Sequence, residues 1–529
     1  MATSRHVETE RKYDVADSAT LPVDRPDLGY VVGPVTQLRL EAVYFDTPAL
    51  DLHRRGITLR RRTGGDDEGW HVKVPRGRDE KTEIRHPLGR ATKVVPAKVV
   101  DPVRAIVRDR ALVPVATLTT NRTTYTLTDR DEAVATLCDD QVSSRWLLTD
   151  HDHDHDGPDD HEGPDDPDTP NWREWELEVV EGRSPRPVLA SIEPFLLDSG
   201  ARRSDHRSKL GRVVAHHGRE RPQERPRRAT KPAPAADVGE LLRTRLVRQI
   251  SALHEQDAAL RSGSPDGVHR MRIATRRLRS ALTTAKPLFT QPPDALRQEL
   301  RWLGQVLGPA RDAQVIREHL EAALDAQPRE LVLGPVRSRL RLELLHEQRQ
   351  GLAVAREALD STRYYRLLDA LDALTADLSL AAASHPKARS VLADLVKRDA
   401  KRLQRAVKAV AEGDPDRHDV AMHEARKKAK RLRYAAELAT PAGGRRAKKL
   451  ARRAKAVQQA LGHHHDTVVA RQRLRQLGAQ AFLNGENGFT FGLLLGLERL
   501  RAEHTEDEFQ QAWKHLPRPR TAARWVSRT

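Results

Sequence analysis

The sequence predicts an α+β multidomain protein, with a closed antiparallel β-barrel in the N-terminal part and an all-α region after it. The chain has 529 residues, which is too long for one ordinary hydrophobic core. Short strands with tight turns and charges at every second position occupy most of residues 4–179. From Val238 onward, leucine, alanine, arginine and glutamate recur at helical spacing. These observations separate a β-rich domain from a helical one.

Composition limits the classes of function. The formal net charge of +17 indicates polyanionic partners such as nucleic acid, anionic lipid or polyphosphate. Nucleic acid is the weaker choice, because aromatic residues make up only 4% and no stacking platform or groove-reading motif is found. No apolar run is long enough to span a membrane, and the N-terminus lacks a secretory signal. The single cysteine, Cys138, allows no internal disulfide, which fits a cytoplasmic protein.

The first candidate site lies at the start of the chain, in residues 6–15. Glu8, Glu10 and Lys12 are two residues apart, so a β-strand places all three side chains on one face. Two neighbouring carboxylates repel unless a cation or a proton lies between them. The stretch therefore suits a divalent metal and the oxygens of a phosphate chain, although a solvated edge strand is the alternative for so short a motif.

Later strands repeat this period-two charge. Basic side chains lie on one set of strands, and acidic side chains lie on another; the last strand has Glu174, Glu176 and Glu178 on one face and apolar residues on the other. If these faces were only solvated, the acidic and the basic side chains would have no reason to lie on separate strands. Inside a barrel, such charges are very costly to desolvate unless ions fill the lumen. The pattern therefore predicts a lumen that holds metal and phosphate.

The motifs in these strands resemble those of the CYTH domain, also called the triphosphate tunnel metalloenzymes. The resemblance covers residues 4–212 and includes the motifs in order. They are Glu8-x-Glu10-x-Lys12, Leu59-Arg60-Arg61-Arg62, Trp70-x-x-Lys73, Glu174-x-Glu176-x-Glu178 and the basic residues 204–209.

The resemblance implies an eight-stranded antiparallel tunnel that binds triphosphate groups and uses Mg²⁺ or Mn²⁺. It implies four catalytic carboxylates, which also bind or orient the metal: Glu8, Glu10, Glu176 and Glu178. Asp139 is expected as a further metal ligand. The residues expected to hold phosphate oxygens are Lys12, Arg60, Arg62, Lys73, Arg85, Arg122 and Lys209. Hard divalent metals prefer carboxylate oxygen, and arginine forks suit phosphate.

Two segments depart from this pattern. Residues 150–156 alternate aspartate and histidine, and the segment continues to residue 170 with further aspartate and proline. Such a composition can bind Zn²⁺ or Ni²⁺ but is also typical of a solvated loop. Residues 213–236 are rich in arginine, proline, glutamate and histidine, which predicts a linker between the two domains.

The helical part contains an internal repeat. His269 and His423 begin two similar motifs that lie 154 residues apart, and Leu307 and Leu461 begin a second pair at the same offset. The repeat predicts two related helical bundles. The motifs at His269 and His423 each have an apolar stripe, which is typical of a core face, and an adjacent basic stripe. Like charges three and four residues apart destabilise a helix, so a polyanion along the basic stripe explains the pattern better than a solvated face.

These motifs resemble the CHAD domain over residues 237–515. The resemblance implies polyphosphate binding in a basic channel between two pseudo-symmetric four-helix halves, at about residues 237–390 and 391–515. The residues expected to line it are His269, Arg272, Arg276, Arg279, His423, Arg426, Lys430, Arg431 and Arg433. Arg311 and His465 are weaker candidates, and residues 463–465 cannot all face one metal ion from a regular helix. Residues 516–529 are expected to form a basic, disordered tail.

The expected function is metal-dependent hydrolysis of inorganic triphosphate in the tunnel, with polyphosphate binding by the helical domain. One alternative is a polyphosphate-binding protein without catalysis. Another is a tunnel enzyme that acts on thiamine triphosphate, or that cyclises ATP as an adenylate cyclase does. We expect no membrane partner and a cytoplasmic location that includes association with polyphosphate granules. The oligomeric state is left open.

Overall fold

The computed structural model describes residues 3–77, 79–90, 94–148, 170–219, 237–378 and 388–527. The chain divides into two compact units, residues 1–226 and 227–529. The histidine- and aspartate-rich stretch predicted at 150–170 lies outside the described residues, except for Pro170. Most of the predicted linker, from residue 220 to residue 236, also lies outside them.

The first unit contains a closed barrel of eight antiparallel strands. The strands are β1 (Ser4–Asp14), β2 (Val31–Asp46), β3 (Thr58–Thr63), β4 (Gly69–Pro75), β5 (Glu80–His86), β6 (Val113–Asp129), β7 (Glu132–Trp146), β8 (Asn171–Val179) and β9 (Arg202–Arg203). The sheet order is β5-β4-β3-β2-β6-β7-β8-β1, and β1 also pairs with β5, which closes the sheet; the short β9 pairs with the end of β1. This confirms the predicted barrel.

The barrel has its apolar face outside and its charged face inside. Along β8, Trp175 and Leu177 are fully buried against the helix α3 (Pro185–Asp198). A second apolar cluster, which includes Trp70 of β4, is covered by the short helices α1 (Ala97–Val100) and α2 (Arg104–Val107). Because the helices take the apolar face of each strand, the alternating charged side chains are directed into the lumen.

The first unit ends in a helix that the linker prediction did not include. Helix α4 (Lys209–His216) begins at Ser208, whose Oγ accepts a hydrogen bond from the Gly211 amide at 3.0 Å. Val213 and Val214 are fully buried against the barrel. The linker therefore cannot begin at residue 213, because the apolar face of α4 belongs to the barrel core.

The second unit is helical throughout its described residues. Its helices are α5 (Val238–Arg261), α6 (Gly267–Ala285), α7 (Asp294–Val306), α8 (Gly308–Asp325), α9 (Val336–Leu359), α10 (Thr362–Ala376), α11 (Ala388–Ala411), α12 (His418–Leu483), α13 (Phe489–Lys514) and α14 (Pro519–Ser527). The chain turns inside α12 at Gly444, where φ is 58°, so α12 consists of two helical segments. None of the helices in the described part of the chain is long and apolar enough to cross a membrane.

The helix order follows the repeat of 154 residues. α5 corresponds to α11, α6 to the first segment of α12, α7 and α8 together to its second segment, α9 to α13, and α10 to α14. Each half thus has one short terminal helix beyond the four expected segments, and a spatial two-fold relation between the halves stays a prediction. The prediction of a disordered tail at residues 516–529 was wrong. Ala522 and Val526, one turn apart on α14, are fully buried, and α14 packs on α11.

Candidate functional site

Almost all residues predicted for the tunnel line the lumen of the barrel. Its walls enclose a free volume of about 90 Å³. All four predicted catalytic carboxylates and all seven predicted phosphate-binding cations line it: Glu8, Glu10, Glu176, Glu178, Lys12, Arg60, Arg62, Lys73, Arg85, Arg122 and Lys209. Only Asp139, among the predicted residues, is not part of this lining.

One group of carboxylates lies where β1 and β8 pair. Glu10 is directly opposite Glu178 in the register, and Glu8 follows on the same face of β1. Lys73 Nζ donates to Glu8 Oε1 at 2.7 Å and lies 3.6 Å from Glu10 Oε2. Burial raises the pKa of Glu8 to about 7. Burial also raises the pKa of Glu10, but the ammonium groups of Lys73 and Lys81 outweigh it, so that its pKa lies well below the ordinary value.

A second group centres on Lys209, the first residue of α4. Its Nζ lies 2.8 Å from Asp140 Oδ2, 2.8 Å from Glu174 Oε1 and 2.5 Å from Glu176 Oε1. Lys12 contacts Glu176 from β1, and its Nζ is 3.3 Å from Glu174 Oε1. Burial raises the pKa of Glu174, but Lys209 and Lys12 outweigh it and bring that pKa down to about 2. The second group is therefore a compact set of alternating charges.

The remaining wall is rich in arginine. Arg60 Nη1 donates to the Tyr44 hydroxyl at 3.3 Å, and Arg62 contacts Asp67. Burial and the charge of Arg60 lower the pKa of Arg62 to about 9. The Nε atoms of both arginines are buried and lack a hydrogen-bond partner among the described residues. Buried, unpartnered guanidinium donors are suited to an anion that enters the lumen.

Asp139 was the wrong choice on β7. It is paired with Trp175 of β8, whose side chain lies in the outer apolar cluster, and its carboxylate accepts hydrogen bonds from Arg173 at 2.9 and 2.6 Å. Asp140 is paired with Glu174 and is fully buried, and Arg122 donates to it at 2.7 and 2.6 Å. The side chains of neighbouring residues alternate between faces, so a difference of one residue decides which carboxylate enters the lumen.

The two aspartates give a direct stability test. We expect Asp140→Asn to lower the free energy of unfolding by about 3–5 kcal/mol, because it leaves two buried cations without their shared carboxylate. Asp139→Asn should cost less, because Arg173 lies on the outer face of the barrel and keeps the carbonyl oxygens of Asp17 and Ala19 as acceptors. Urea unfolding of both variants measures the difference, and equal losses would contradict the assignment of Asp140 to the lumen.

The donor set of the lumen fits a hard divalent cation. Glu8 Oε2 is buried and has no hydrogen-bond partner among the residues described, and Glu10 and Glu178 lie beside it. Asp140, Glu174 and Glu176 also offer three oxygens within 4.8 Å of one another, and the Lys209 ammonium contacts all three. Lysine side chains contact Glu8 and Glu10 as well, so the two groups differ in Glu8 Oε2, the buried oxygen without a partner among the described residues. That oxygen makes the carboxylates of Glu8, Glu10 and Glu178 the better place for Mg²⁺ or Mn²⁺.

Sequence reasoning missed four charged or aromatic residues that line the lumen: Tyr44, Asp67, Lys81 and Glu83. It also missed Asp140, whose carboxylate contacts Arg122 and Lys209 of the lining. Glu83 is 1% exposed, and its carboxylate contacts His71 Nδ1 at 2.8 Å and Arg85 Nε at 2.7 Å. Lys81 and Glu83 share a face of β5 with the predicted Arg85, so the period-two rule was enough to find them. Tyr44 and Asp140 needed the strand register, which no local pattern supplies.

In the helical unit, the basic stripes of the two repeats come together where α6, α8 and α12 meet, a region which we call the basic cleft. Arg276 Nε donates to the Tyr434 hydroxyl at 3.2 Å, which joins α6 to α12. The rings of His423 and His465 are 4.6 Å apart. The predicted residues of the basic cleft are His269, Arg272, Arg276, Arg279, His423, Arg426 and Lys430, with Arg311 and His465 beside them.

The basic cleft has too few anions for its cations. Burial, followed by the charges of Arg426 and Arg276, lowers the pKa of Lys430 to about 7. Burial and the charge of Arg426 lower the pKa of His465 to about 4. Arg426 Nε and His423 Nδ1 are buried without a hydrogen-bond partner in the described part of the chain. Arg272 is the better compensated member, since it donates to Asp312 Oδ1 at 2.7 Å.

Two of the residues predicted to bind polyphosphate have different neighbours from the rest. Arg433 donates to Glu437 Oε1 at 2.7 Å and to Gln458 Oε1 at 2.8 Å, so its charge is already paired. Arg431 lies near Asp399 and Arg402 of α11 rather than in the basic cleft. Helical periodicity assigns a residue to a stripe but does not identify the neighbouring helix that each edge of the stripe contacts.

Comparisons with known proteins divide the chain in the same way. Residues 6–181 match the CYTH domain, and residues 244–475 match the CHAD domain. Two uncharacterized proteins of Mycobacterium tuberculosis, from strains CDC 1551 and H37Rv, are 39% identical over 527 residues, which is 98% of this chain and 98% of each of theirs.

Solved structures resemble single units of the chain. The CHAD domain from the plant Ricinus communis is 26% identical and covers 56% of this chain and 98% of its own, with a TM-score of 0.44. A Hippeastrum protein, described as having a dominant triphosphatase activity, is 15% identical and covers 41% of this chain and 99% of its own, with a TM-score of 0.25.

Proposed function

This chain belongs to the proteins that join an N-terminal CYTH domain to a C-terminal CHAD domain, and from that premise we propose that it hydrolyses inorganic triphosphate in its barrel and binds long-chain polyphosphate in its basic cleft. The observation that carries the first part is the lumen, where seven predicted cations and four predicted carboxylates line one enclosed space. Such a combination is suited to phosphoryl transfer, which depends on positioning and on charge stabilisation.

The carboxylates and the cations have separate roles in this proposal. Glu8, Glu10 and Glu178 would hold Mg²⁺ or Mn²⁺, with Glu176 beside them, and the cation would neutralise charge on the phosphate oxygens. Arg60, Arg62 and the other basic side chains grip the phosphate chain and stabilise the charge that develops on the transferred group. Glu10 is ionised at neutral pH because of Lys73 and Lys81, so it is available to a cation without losing a proton.

Inorganic triphosphate fits the lumen better than a nucleotide does. Among the described residues that line it, Tyr44 is the single aromatic side chain, and its hydroxyl accepts a hydrogen bond from Arg60. A base or a thiazole ring would need an apolar or aromatic surface beside the phosphates. The few apolar lining residues, such as Leu40 and Leu118, lie among charged groups instead of forming such a surface.

The substrate assay compares tripolyphosphate, ATP, thiamine triphosphate and long-chain polyphosphate, with Mg²⁺, Mn²⁺ or a chelator. We expect metal-dependent phosphate release from tripolyphosphate at a kcat/KM at least about a hundredfold above that for ATP, because the nucleoside finds no matching surface. Faster turnover of ATP or thiamine triphosphate would replace the proposed substrate. No turnover of any compound, with polyphosphate still bound, would make the protein a binding module.

The second part of the proposal rests on the uncompensated charge of the basic cleft. Arg276, Arg426 and Lys430 come from both repeats, and each has the positive charge of the others close by. A linear polyanion removes this repulsion and releases counterions, so the affinity should fall steeply with salt concentration. A single phosphate satisfies only a few of these groups, which favours a polymer of phosphate over a small anion.

A further inference from the structure

Three side chains outside both proposed sites converge at one point of the helical unit. His418 is the first residue of α12, His464 lies in the second segment of α12, and Glu506 lies on α13. One ligand atom of each lies within 4.8 Å of those of the other two. His418 Nε2 is 3.1 Å from Glu506 Oε1, and His464 Nδ1 is 3.8 Å from the same oxygen.

His464 has the surroundings of a metal ligand. Its side chain is 2% exposed, and its Nδ1 has no hydrogen-bond partner among the described residues. Its other ring nitrogen, Nε2, donates to Asp419 Oδ1 at 2.9 Å. That hydrogen bond places the proton on Nε2 and directs the lone pair of Nδ1 toward Glu506. At known metal sites, a carboxylate that accepts a hydrogen bond from the second ring nitrogen orients a histidine ligand in the same way.

We propose that His418, His464 and Glu506 bind one divalent transition-metal ion, with zinc as the best match. Two imidazoles and one carboxylate suit Zn²⁺, whereas Mg²⁺ prefers oxygen ligands alone. Ligand atoms of a tetrahedral zinc site lie about 3.3 Å apart, so the two distances seen here require shifts of about half an ångström or less. The site differs from the barrel lumen in both its unit and its ligand chemistry.

The ion would link three parts of the helical unit. It joins the start of α12 to α13 and to the second segment of α12, which follows the turn at Gly444. The ring of His465, the next residue after His464, contacts that of His423 in the basic cleft. A metal ion at His464 therefore holds one wall of the basic cleft in place, and its binding should stabilise the folded state of this unit.

The three adjacent histidines provide a matched control. His463 is exposed, and its Nδ1 is 3.1 Å from Glu508 Oε2, away from the proposed site. Glu506→Gln and His418→Gln each remove one ligand at a half-exposed or exposed position, so the buried His464 stays in place. The histidine- and aspartate-rich residues 150–170 are the same in every variant, so any zinc that they bind is a constant background.

Zinc affinity of the full chain is measured by competition with a chromophoric chelator, and Co²⁺ is used as a spectroscopic probe. We expect Glu506→Gln and His418→Gln to weaken the site at least about tenfold and to lose the Co²⁺ bands typical of tetrahedral ligation, while His463→Gln binds as the wild type does. Zinc should raise the melting temperature of the wild type and of His463→Gln, but not that of Glu506→Gln.

Melting in the presence of a chelator establishes that the variants fold. Equal zinc affinity in the wild type and in both ligand variants would overturn the proposal, as would an equal loss in His463→Gln. A wild-type protein whose Co²⁺ spectrum matches that of both ligand variants would overturn it as well, because all binding would then belong to the common background.

Discussion

Glu176→Gln is expected to lower kcat for tripolyphosphate hydrolysis at least about a hundredfold, because the carboxylate is at the centre of the charge network in the lumen. It is 2.5 Å from Lys209 Nζ and contacts Lys12 and Arg122. Without this negative charge, the three cations repel one another and move from the positions in which they would meet the phosphates. Steady-state kinetics with Mg²⁺ measures the effect.

A glutamate on the exterior of the same barrel serves as the control. Glu132 of β7 is exposed and contacts Arg183 at the surface, so Glu132→Gln makes the same chemical change without altering the lumen. We expect its kcat to equal that of the wild type. Full activity in Glu176→Gln would contradict the proposed tunnel site, whereas loss of activity in both variants would point to a general effect on folding.

The second large effect concerns pH and polyphosphate binding. The free Lys430 has a pKa of about 7 because of burial and its arginine neighbours, and a bound polyanion raises that pKa. Below pH 7 the ammonium is already charged, so Lys430 takes up no proton on binding there. Above pH 7 binding must protonate Lys430, and the affinity should fall by up to about tenfold for each pH unit until the pKa of the bound state is reached.

Binding titrations from pH 6 to pH 9 measure this slope, with phosphate chains long enough for their terminal groups to contribute little. Calorimetry in two buffers of different ionisation enthalpy gives the number of protons taken up, which we expect to approach one at pH 8. Lys430→Arg is the matched control, because arginine remains charged over this range and should remove the slope. A wild-type affinity independent of pH, or the same slope in Lys430→Arg, would contradict the role of Lys430.

Much of the lumen could be predicted from local patterns. The period-two charges of β1 and β8 identified the acidic residues, and those of β3 and β4 identified Arg60, Arg62 and Lys73, because the side chains of a strand alternate strictly between two faces. The resemblance to known motifs then supplied Arg122 and Lys209, which no periodicity had singled out. The prediction of Asp139 was wrong because alternation alone does not say which of two neighbouring residues, Asp139 or Asp140, faces the lumen. Only the pairing of β7 with β8 decides this.

The sequence by itself determined the composition of each surface: a charged face on the barrel strands, and an apolar stripe beside a basic stripe on the repeated helices. These features depend on residues two to four positions apart, which local geometry relates directly. Only the tertiary structure decided which charges meet. Asp140 with Lys209, Lys430 with Arg276, and His464 with Glu506 are brought together by strand register and helix packing, and these depend on how the apolar faces of distant segments fit together.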